Sequence, residues 1–307
     1  MAVTTGTSAF NLDLNEIMEE SYERAGLEIR TGYEFRTARR SLNMLTIEWA
    51  NRGINLWTVD QGQIVMNTGQ AIYAYPSDTI DLLDQVIRTQ ANGINQSDIN
   101  ISRISEPTYS TIPNKLAQGR PIQVWINRQT GVTNTTSVTL GATITATDNI
   151  ITVSNASGLA AAGFINIDSE TIVYQNVSGN QLLNCFRGQN NTTAAAHTSG
   201  AAISVSNLPC INVWPTPNAP GDQYVFVYWR MRRLQDAGNG VNIQDIPFRL
   251  IPCLVAGLAF YIASKRMELP PERVVMLKQE YEQQWLLASQ EDREKAPDRF
   301  VPRQMFY

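Results

Sequence analysis

The stretch that decides the fold runs from Asp245 to Glu291 and reads DIPFRLIPCLVAGLAFYIASKRMELPPERVVMLKQEYEQQWLLASQE. Its apolar residues recur every three or four positions, which places them on one face of a helix. Leu269-Pro270-Pro271 divides the stretch, because proline suits the first turn of a helix but disrupts its interior. The sequence therefore predicts two helices joined by a short turn, each with an apolar face that requires a packing partner.

The N-terminal part of the chain supplies a second predicted pair of helices. Asp13 and Thr31 are each followed three residues later by a glutamate, which is the spacing of a capping box at the start of a helix. Gly26 and Gly53 come where each helical pattern ends, and glycine favours the left-handed conformation of a helix stop. Because both predicted pairs have one apolar side and lie at opposite ends of the chain, we expect them to pack together.

The middle of the chain changes from helical to strand periodicity, with short β-branched and aromatic runs between turn-forming residues. Residues 78–89 fit either a helix or a strand, and their β-branched content favours a strand. Residues 133–209 contain only four charged residues and are dominated by Thr, Ser, Asn, Ala, Gly and Val. Such a change of composition indicates an inserted domain.

These patterns predict an α+β protein. It consists of a helical bundle formed by the N- and C-terminal helix pairs, a central antiparallel β domain, and an inserted small all-β barrel or sandwich. The expected boundaries are residues 1–54 and 240–293 for the bundle, 55–131 and 207–239 for the central β domain, 132–206 for the insert, and 294–307 for an extended C-terminal tail.

The composition limits the classes of function. The chain has 307 residues, of which 43% are hydrophobic, and a formal net charge of −4. A net negative charge argues against a protein that binds nucleic acid through the electrostatic attraction of its whole surface. The first residues have no signal-peptide pattern and no later apolar run is long enough for a bilayer, so we expect neither secretion nor membrane insertion. Cys185, Cys210 and Cys253 are predicted to be buried, reduced thiols.

The search for catalytic residues yields one candidate pair. Known nucleophile, phosphate-loop and zinc motifs are absent from the sequence, and we predict no cofactor, no metal and no enzymatic activity. Asp168 and Glu170 on a strand would share one face and could act as paired carboxylates in glycoside cleavage. The alternative, which we favour, is that they form the solvated side of the strand.

His197 is the only histidine of the chain. With Arg187 it could form a site for a carboxylate or a sugar. The alternative is that both side chains hydrogen-bond a loop of the inserted domain, and we favour it because a lone histidine more often braces structure than catalyses.

Arg36, Arg39 and Arg40 lie together on the second predicted helix. They could contact phosphates, or they could form a solvated or intersubunit face with glutamate partners at helical spacing. The acidic net charge favours the second interpretation, and we predict a subunit interface at these three residues.

The last residues of the chain combine aromatic and basic side chains, namely Phe300, Arg303, Met305, Phe306 and Tyr307. Aromatic residues and arginine dominate the energetics of interfaces, so this composition is typical of a peptide that docks in a groove on another chain. A tail that folds onto its own subunit, or stays disordered, is an equally weighted alternative.

Several segments taken in order resemble the head-to-tail adaptor proteins of short-tailed bacteriophages. They are residues 41–59 (SLNMLTIEWANRGINLWTV), 101–105 (ISRIS), 112–121 (IPNKLAQGRP), 211–238 (INVWPTPNAPGDQYVFVYWRMRRLQDAG) and 246–297, which continues the stretch quoted first. The inserted residues 165–200 (INIDSETIVYQNVSGNQLLNCFRGQNNTTAAAHTSG) are similar to a small β-module that recurs in phage virion proteins.

The resemblance implies a ring, usually of twelve copies, bound between the portal protein and the tail nozzle protein. DNA would pass through the ring without sequence-specific binding, and a channel wall of acidic character would discourage lingering phosphate contacts. The resemblance also implies a contact of the C-terminal segment with the portal, which maps here onto Phe300, Arg303, Met305, Phe306 and Tyr307.

The leading hypothesis is therefore a structural protein of the virion neck, made in the host cytoplasm, that seals the portal and carries the tail. Tail fibres or spikes could attach through the inserted domain, and no membrane partner is expected. Two alternatives stay open: a virion-associated hydrolase that cleaves glycans with Asp168 and Glu170, and a carbohydrate-binding tail component.

Overall fold

The computed structural model describes residue 6 and residues 12–53, 56–238 and 242–292. These residues form a mixed α+β structure with five α-helices and several sheets whose strands pair mostly antiparallel, which confirms the predicted class. The chain divides into two compact units. The first comprises Met1–Val59 and Arg233–Tyr307, and the second comprises Asp60–Arg232.

The helices begin and end where local chemistry predicts. The described helices are α1 (Leu14–Ala25), α2 (Gly32–Arg52), α3 (Glu106–Ser110), α4 (Ile251–Ala263) and α5 (Pro271–Glu291). Both predicted capping boxes are formed, and the Asp13 carboxylate accepts a hydrogen bond of 2.8 Å from the Glu16 backbone N–H. Gly26 and Gly53 end α1 and α2 with φ angles of 81° and 86°, as predicted for left-handed stops.

The core of the first unit forms around α4. This helix contacts α1, α2 and α5, and buried residues of all four helices share one apolar cluster. Gly257 lies at the closest approach, because a Cβ atom there would be 2.8 Å from Cε2 of Tyr281 and 3.0 Å from Cδ1 of Leu45. Residues from both ends of the chain therefore exclude water from one interior, and a glycine allows the helices to approach closely.

The strands belong mainly to the second unit. The first seven are β1 (Val59–Met66), β2 (Ile72–Ala74), β3 (Thr79–Thr89), β4 (Ser97–Asn100), β5 (Ser102–Ile104), β6 (Gln118–Gly119) and β7 (Gln123–Asn127). The next eight are β8 (Thr133–Thr139), β9 (Ile151–Thr152), β10 (Gly163–Ile167), β11 (Glu170–Tyr174), β12 (Asn176–Ser178), β13 (Gln181–Leu183), β14 (Phe186–Gln189) and β15 (Ala202–Ser206). The last three are β16 (Cys210–Trp214), β17 (Thr216–Pro217) and β18 (Gly221–Arg232).

Two four-stranded sheets and a small two-stranded sheet form the host part of the second unit. Their strand orders are β1-β18-β3-β4, β2-β16-β7-β5 and β17-β6. The ambiguous segment at residues 78–89 contains β3, which pairs antiparallel with β18, so the choice of a strand is confirmed. Ile87 of β3 and its cross-strand partner Phe226 of β18 are both fully buried in the apolar cluster that the two four-stranded sheets share.

Strands β8 to β15 form the inserted module. They make a five-stranded sheet of order β14-β11-β10-β15-β8 and a three-stranded sheet of order β12-β13-β9. No sheet in the described residues closes into a barrel. The module packs against the host sheets through Phe164 and Val173, which share a small apolar cluster with Ile72 and Cys210.

Candidate functional site

A buried charge network lies inside the inserted module. The side chain of Glu170, the first residue of β11, is 1% exposed, and Arg187 of the neighbouring strand β14 is nearly as buried. Arg187 donates from Nε to one Glu170 oxygen at 2.8 Å and from Nη2 to the other at 2.7 Å. Backbone N–H groups of Gly188 and Ala195 also donate to Glu170. This carboxylate thus has a full set of internal donors.

His197 extends the network to a second carboxylate. Its Nε2 lies 2.8 Å from a Glu170 oxygen, and its Nδ1 lies 2.8 Å from an oxygen of Asp168. The backbone of His197 also exchanges two hydrogen bonds with Ile144, which attaches this segment to another part of the module. Arg187 and His197 therefore brace the module from within, as the favoured interpretation of these residues predicts.

The predicted arrangement of Asp168 and Glu170 on one strand face is wrong. Asp168 lies in the turn between β10 and β11 with a φ angle of 52°, whereas Glu170 begins the strand. The Asp168 side chain is 70% exposed, and that of Glu170 is buried. A tight turn places the two residues in different environments, so the period of two that holds along a strand does not apply across them.

The charge state of Glu170 follows from its partners. Burial by itself would raise the pKa of this carboxyl group, but hydrogen bonds from Arg187, His197 and the Gly188 and Ala195 backbones lower the pKa to about 2. Glu170 is consequently ionised at neutral pH, and its lone pairs are directed at internal donors. These contacts therefore act as a non-covalent cross-link inside the module.

The three predicted interface arginines lie together on one side of α2. Arg36, Arg39 and Arg40 border a shallow depression with Tyr33 and Asn43. Arg39 donates to the carbonyl oxygen of Gly238 at 2.9 Å, and Arg40 donates to Thr37 Oγ1. Within the described part of the chain none of the three arginines pairs with a carboxylate, so the expected glutamate partners at helical spacing are not found.

Further positive charge lies beside this cluster. Lys265 donates to Ser41 Oγ at 2.7 Å, and burial together with the nearby Arg40 guanidinium lowers the pKa of its ammonium group. We call Tyr33, Arg36, Arg40, Met44 and Ile47 the α2 face. Their spacing of three and four residues aligns them on the side of α2 opposite its buried stripe, and all five are exposed.

Exposed apolar residues also lie at two places along α5, with the exposed Gln279 and Gln283 between them. Val275, Met276, Leu286 and Leu287 all have side chains more than half exposed, on the side of the helix opposite Leu277 and Tyr281. We call these four exposed residues the α5 face. Sequence reasoning identified only the buried stripe of each helix. On α2 a signal for the other side was present, since exposed apolar residues recur there at helical spacing.

Helix α1 carries the opposite charge. Glu16, Glu19, Glu20 and Glu23 are exposed along one side, at the spacing of neighbours on a helix surface. This acidic side belongs to a helix that contacts α5, because Arg24 Nη1 lies 3.0 Å from Glu280 Oε1. The first unit therefore combines a basic apolar face on α2 with an apolar face on α5 that has acidic residues nearby.

Other predicted features have simpler outcomes. The predicted portal-binding residues Phe300, Arg303, Met305, Phe306 and Tyr307 lie outside the described residues. The three cysteines are buried free thiols, as predicted. In the residues that the structure covers, no helix has the length and apolar character needed to cross a bilayer, and no group of His, Cys, Asp and Glu side chains is placed to hold a metal ion.

Comparison with models of known protein families finds no match. Comparison with curated proteins likewise finds none.

Proposed function

We propose that this protein is a structural head-to-tail adaptor of a phage virion, which assembles as a ring between the portal and the tail nozzle. The observation that carries the proposal is the pair of exposed apolar faces on the two longest helices, the α2 face and the α5 face. Exposed apolar patches of this kind mark sites of protein association. The resemblance of several segments, in order, to phage adaptors supports this class of assembly.

A ring requires two different surfaces on each copy. In a heterologous contact one patch of a subunit meets a different patch of the next, and the assembly closes when the rotation closes. The α2 face is apolar and basic, whereas the α5 face is apolar and belongs to a unit whose α1 surface is acidic. Each copy thus has complementary surfaces, and we assign Arg36, Arg39 and Arg40 to the subunit interface.

The proposed mechanism is binding without turnover. In the finer arrangement that we propose, the helices of both chain ends form the adaptor bundle, the ring has twelve copies, and the inserted module projects as an accessory domain. The C-terminal residues Phe300 to Tyr307 dock on the portal, and DNA passes through the ring. The Glu170 carboxylate is buried and hydrogen-bonded to Arg187 and His197. This supports a structural role over a glycan-cleaving hydrolase, because a catalytic acid or base needs access to its substrate.

Charge reversal on the α2 face tests the ring. Arg36→Glu combined with Arg40→Glu should shift the protein from ring to monomer in sedimentation velocity, because like charges would then meet across each contact. Arg120→Glu, an exposed arginine of the second unit, is the control for a general effect of added negative charge and should leave the ring intact.

A compensating variant makes this test specific. Reversal of Glu19 and Glu23 to arginine should also disrupt the ring, and a chain that carries both sets of reversals should recover it, because every contact regains complementary charge. Monomeric wild-type protein, both alone and with the portal protein of the same virion, would refute the proposed ring. Intact rings in the Arg36/Arg40 variant would refute this choice of interface.

The portal contact has its own test. Deletion of residues 300–307 should weaken binding to the portal protein, measured by surface plasmon resonance, without a change in the far-UV circular dichroism spectrum. The reason is that aromatic and arginine side chains supply most of the binding energy at an interface. Unchanged affinity would remove the proposed docking role of this segment.

A further inference from the structure

A cavity of about 450 Å³ lies inside the second unit, between the inserted module and the host sheet that contains β7 and β16. Trp125 of β7 and Tyr109 of α3 line it from the host side, and Phe164 of β10 and Val205 of β15 line it from the module. Cavities of this size that join apolar walls with a few polar groups are typical of small-molecule sites.

Two aromatic rings form part of the cavity wall. The ring centroids of Tyr109 and Trp125 are 5.3 Å apart, and the ring planes differ by 30°. Lys115 lies over the Tyr109 ring at 5.6 Å, and its ammonium donates to the carbonyl oxygens of Ser110 and Ile112. Trp125 is half-buried and offers apolar area at little entropic cost. Among the described lining residues, the one cation, Lys115, is already bonded to backbone carbonyls.

Two polar side chains that line the cavity have few hydrogen-bond partners among the described residues. Tyr109 is 8% exposed, and its hydroxyl makes no hydrogen bond with any described residue. Asn212 is 6% exposed, and its amide makes one weak contact, from Nδ2 to Cys210 Sγ at 4.0 Å. These two therefore have hydrogen-bonding capacity to offer a molecule inside the cavity.

The Tyr109 hydroxyl retains its proton at neutral pH. Burial raises the pKa of Tyr109 to about 12, with a further contribution from the neighbouring Cys210. A protonated phenol both donates and accepts, as does the Asn212 amide. Asn127 adds a third polar group to the lining, and its Oδ1 accepts from Gln129 at 2.9 Å. Groups that donate and accept together suit hydroxyl groups, which also do both.

We propose that this cavity is a binding site for a neutral saccharide unit. The apolar C–H face of the sugar packs on the half-buried Trp125 ring, and sugar hydroxyls bond the phenol of Tyr109 and the amide of Asn212. A phosphate or carboxylate ligand would need charged donors that bind it directly. Of the described lining residues, the only cation is Lys115, which is bonded to backbone carbonyls. The site goes beyond the proposed ring and does not depend on it.

The test uses the full chain and a defined panel of sugars. Glucose, galactose, mannose, N-acetylglucosamine and their trisaccharides are examined by saturation-transfer NMR, and binding is quantified by calorimetry. We expect saturable binding of at least one of these neutral sugars. Tyr109→Phe should weaken it about tenfold, the effect of one lost hydrogen bond to a buried partner.

Two matched variants locate the site. Trp125→Phe should weaken binding, because it shrinks the stacking surface. The control is Trp229→Phe, which changes the same residue type in the same unit but away from the cavity and should have no effect. Tyr109→Phe removes a hydroxyl without a protein partner, so its melting temperature should equal or exceed that of the wild type. This readout separates a ligand-binding hydroxyl from a structural one.

Several results would overturn the saccharide site. They are no saturable binding of any sugar in the panel, equal binding by wild type and Tyr109→Phe, and preferential binding of glucuronic acid over neutral sugars. A fall in the melting temperature of Tyr109→Phe would show that the hydroxyl has a structural partner. None of these results bears on ring formation, which sedimentation of the same samples reports separately.

Discussion

The helical core of the first unit and the inserted module place their charged groups in opposite ways. In the helical core, Arg52 joins Glu48 and Glu282 at the edge of the apolar cluster, and all three side chains keep contact with solvent. In the module, Glu170 and Arg187 form their ion pair almost entirely out of water. The same chemical interaction is thus peripheral in one region and central in the other.

This difference predicts which region depends on its charges. An ion pair near water contributes little, because solvent screens it and can replace either partner. A buried pair offers weak net stabilisation as a whole, but the removal of one partner leaves an uncompensated charge in a medium that solvates it poorly. The module should therefore be fragile towards loss of charge, whereas the helical unit should depend on packing.

The largest expected effect comes from Glu170→Gln. This change leaves Arg187 buried without a counter-charge and should destabilise the module by roughly 3–5 kcal/mol. Urea-dependent labelling of Cys185, a buried thiol of the module, measures the loss directly. Labelling of Cys253 reports the helical core in the same sample.

Glu282→Gln is the matched control. It removes one carboxylate from Arg52, which keeps Glu48 at 2.6 Å, so the helical unit should lose less than about 1 kcal/mol. Equal losses from the two amide substitutions would contradict the contrast between the regions.

Lowering the pH should also destabilise the module, by somewhat less than Glu170→Gln does. The pKa of Glu170 is lowered from 4.5 to about 2 in the folded module, so its contribution to stability is present above the unfolded value. That contribution, on the order of 3 kcal/mol, is lost as the pH falls from about 4.5 towards 2. Asp168, Arg187 and His197 are the charged or titratable groups bonded within this network.

The measurement is the urea midpoint for Cys185 protection between pH 5 and about 2.5, read with a thiol reagent active in acid. Wild-type protein should lose protection progressively over this range. Glu170→Gln, which has no carboxyl group to protonate, should show a flatter dependence. Parallel slopes for the two proteins would assign the acid sensitivity to other groups.

The smallest of the three effects concerns packing. Gly257→Ala adds a methyl group 2.8 Å from Tyr281 Cε2 and should destabilise the helical core by about 1–3 kcal/mol through overpacking. Cys253 protection measures the change. Gly158→Ala in the module meets no atom within 4 Å and should change stability by less than about 0.5 kcal/mol. A tolerated Gly257→Ala would show that the helices can separate without loss.

Local sequence was a reliable guide where a feature involves neighbours in the chain. The capping boxes at Asp13 and Thr31, the stops at Gly26 and Gly53, and the restart of the helix at Pro271 all form as predicted. Each depends on residues within one or two turns, so no distant contact has to be known.

The candidate sites were harder to predict. Asp168 and Glu170 are two residues apart, yet a turn gives them opposite environments. The sequence singled out Glu170, Arg187 and His197, but it did not predict that the Glu170 carboxylate binds the other two. The α5 face was not predicted, because helical periodicity alone does not show which side of a helix stays exposed.

The sequence by itself determined the α+β class and the ends of the main helices, because these follow from local periodicity and capping. Only the tertiary structure decided that Glu170 is buried between Arg187 and His197, and that Tyr109 and Asn212 line one cavity. Burial and hydrogen-bond partnership are set by residues that strand pairing brings together from distant parts of the chain. No local pattern contains that information.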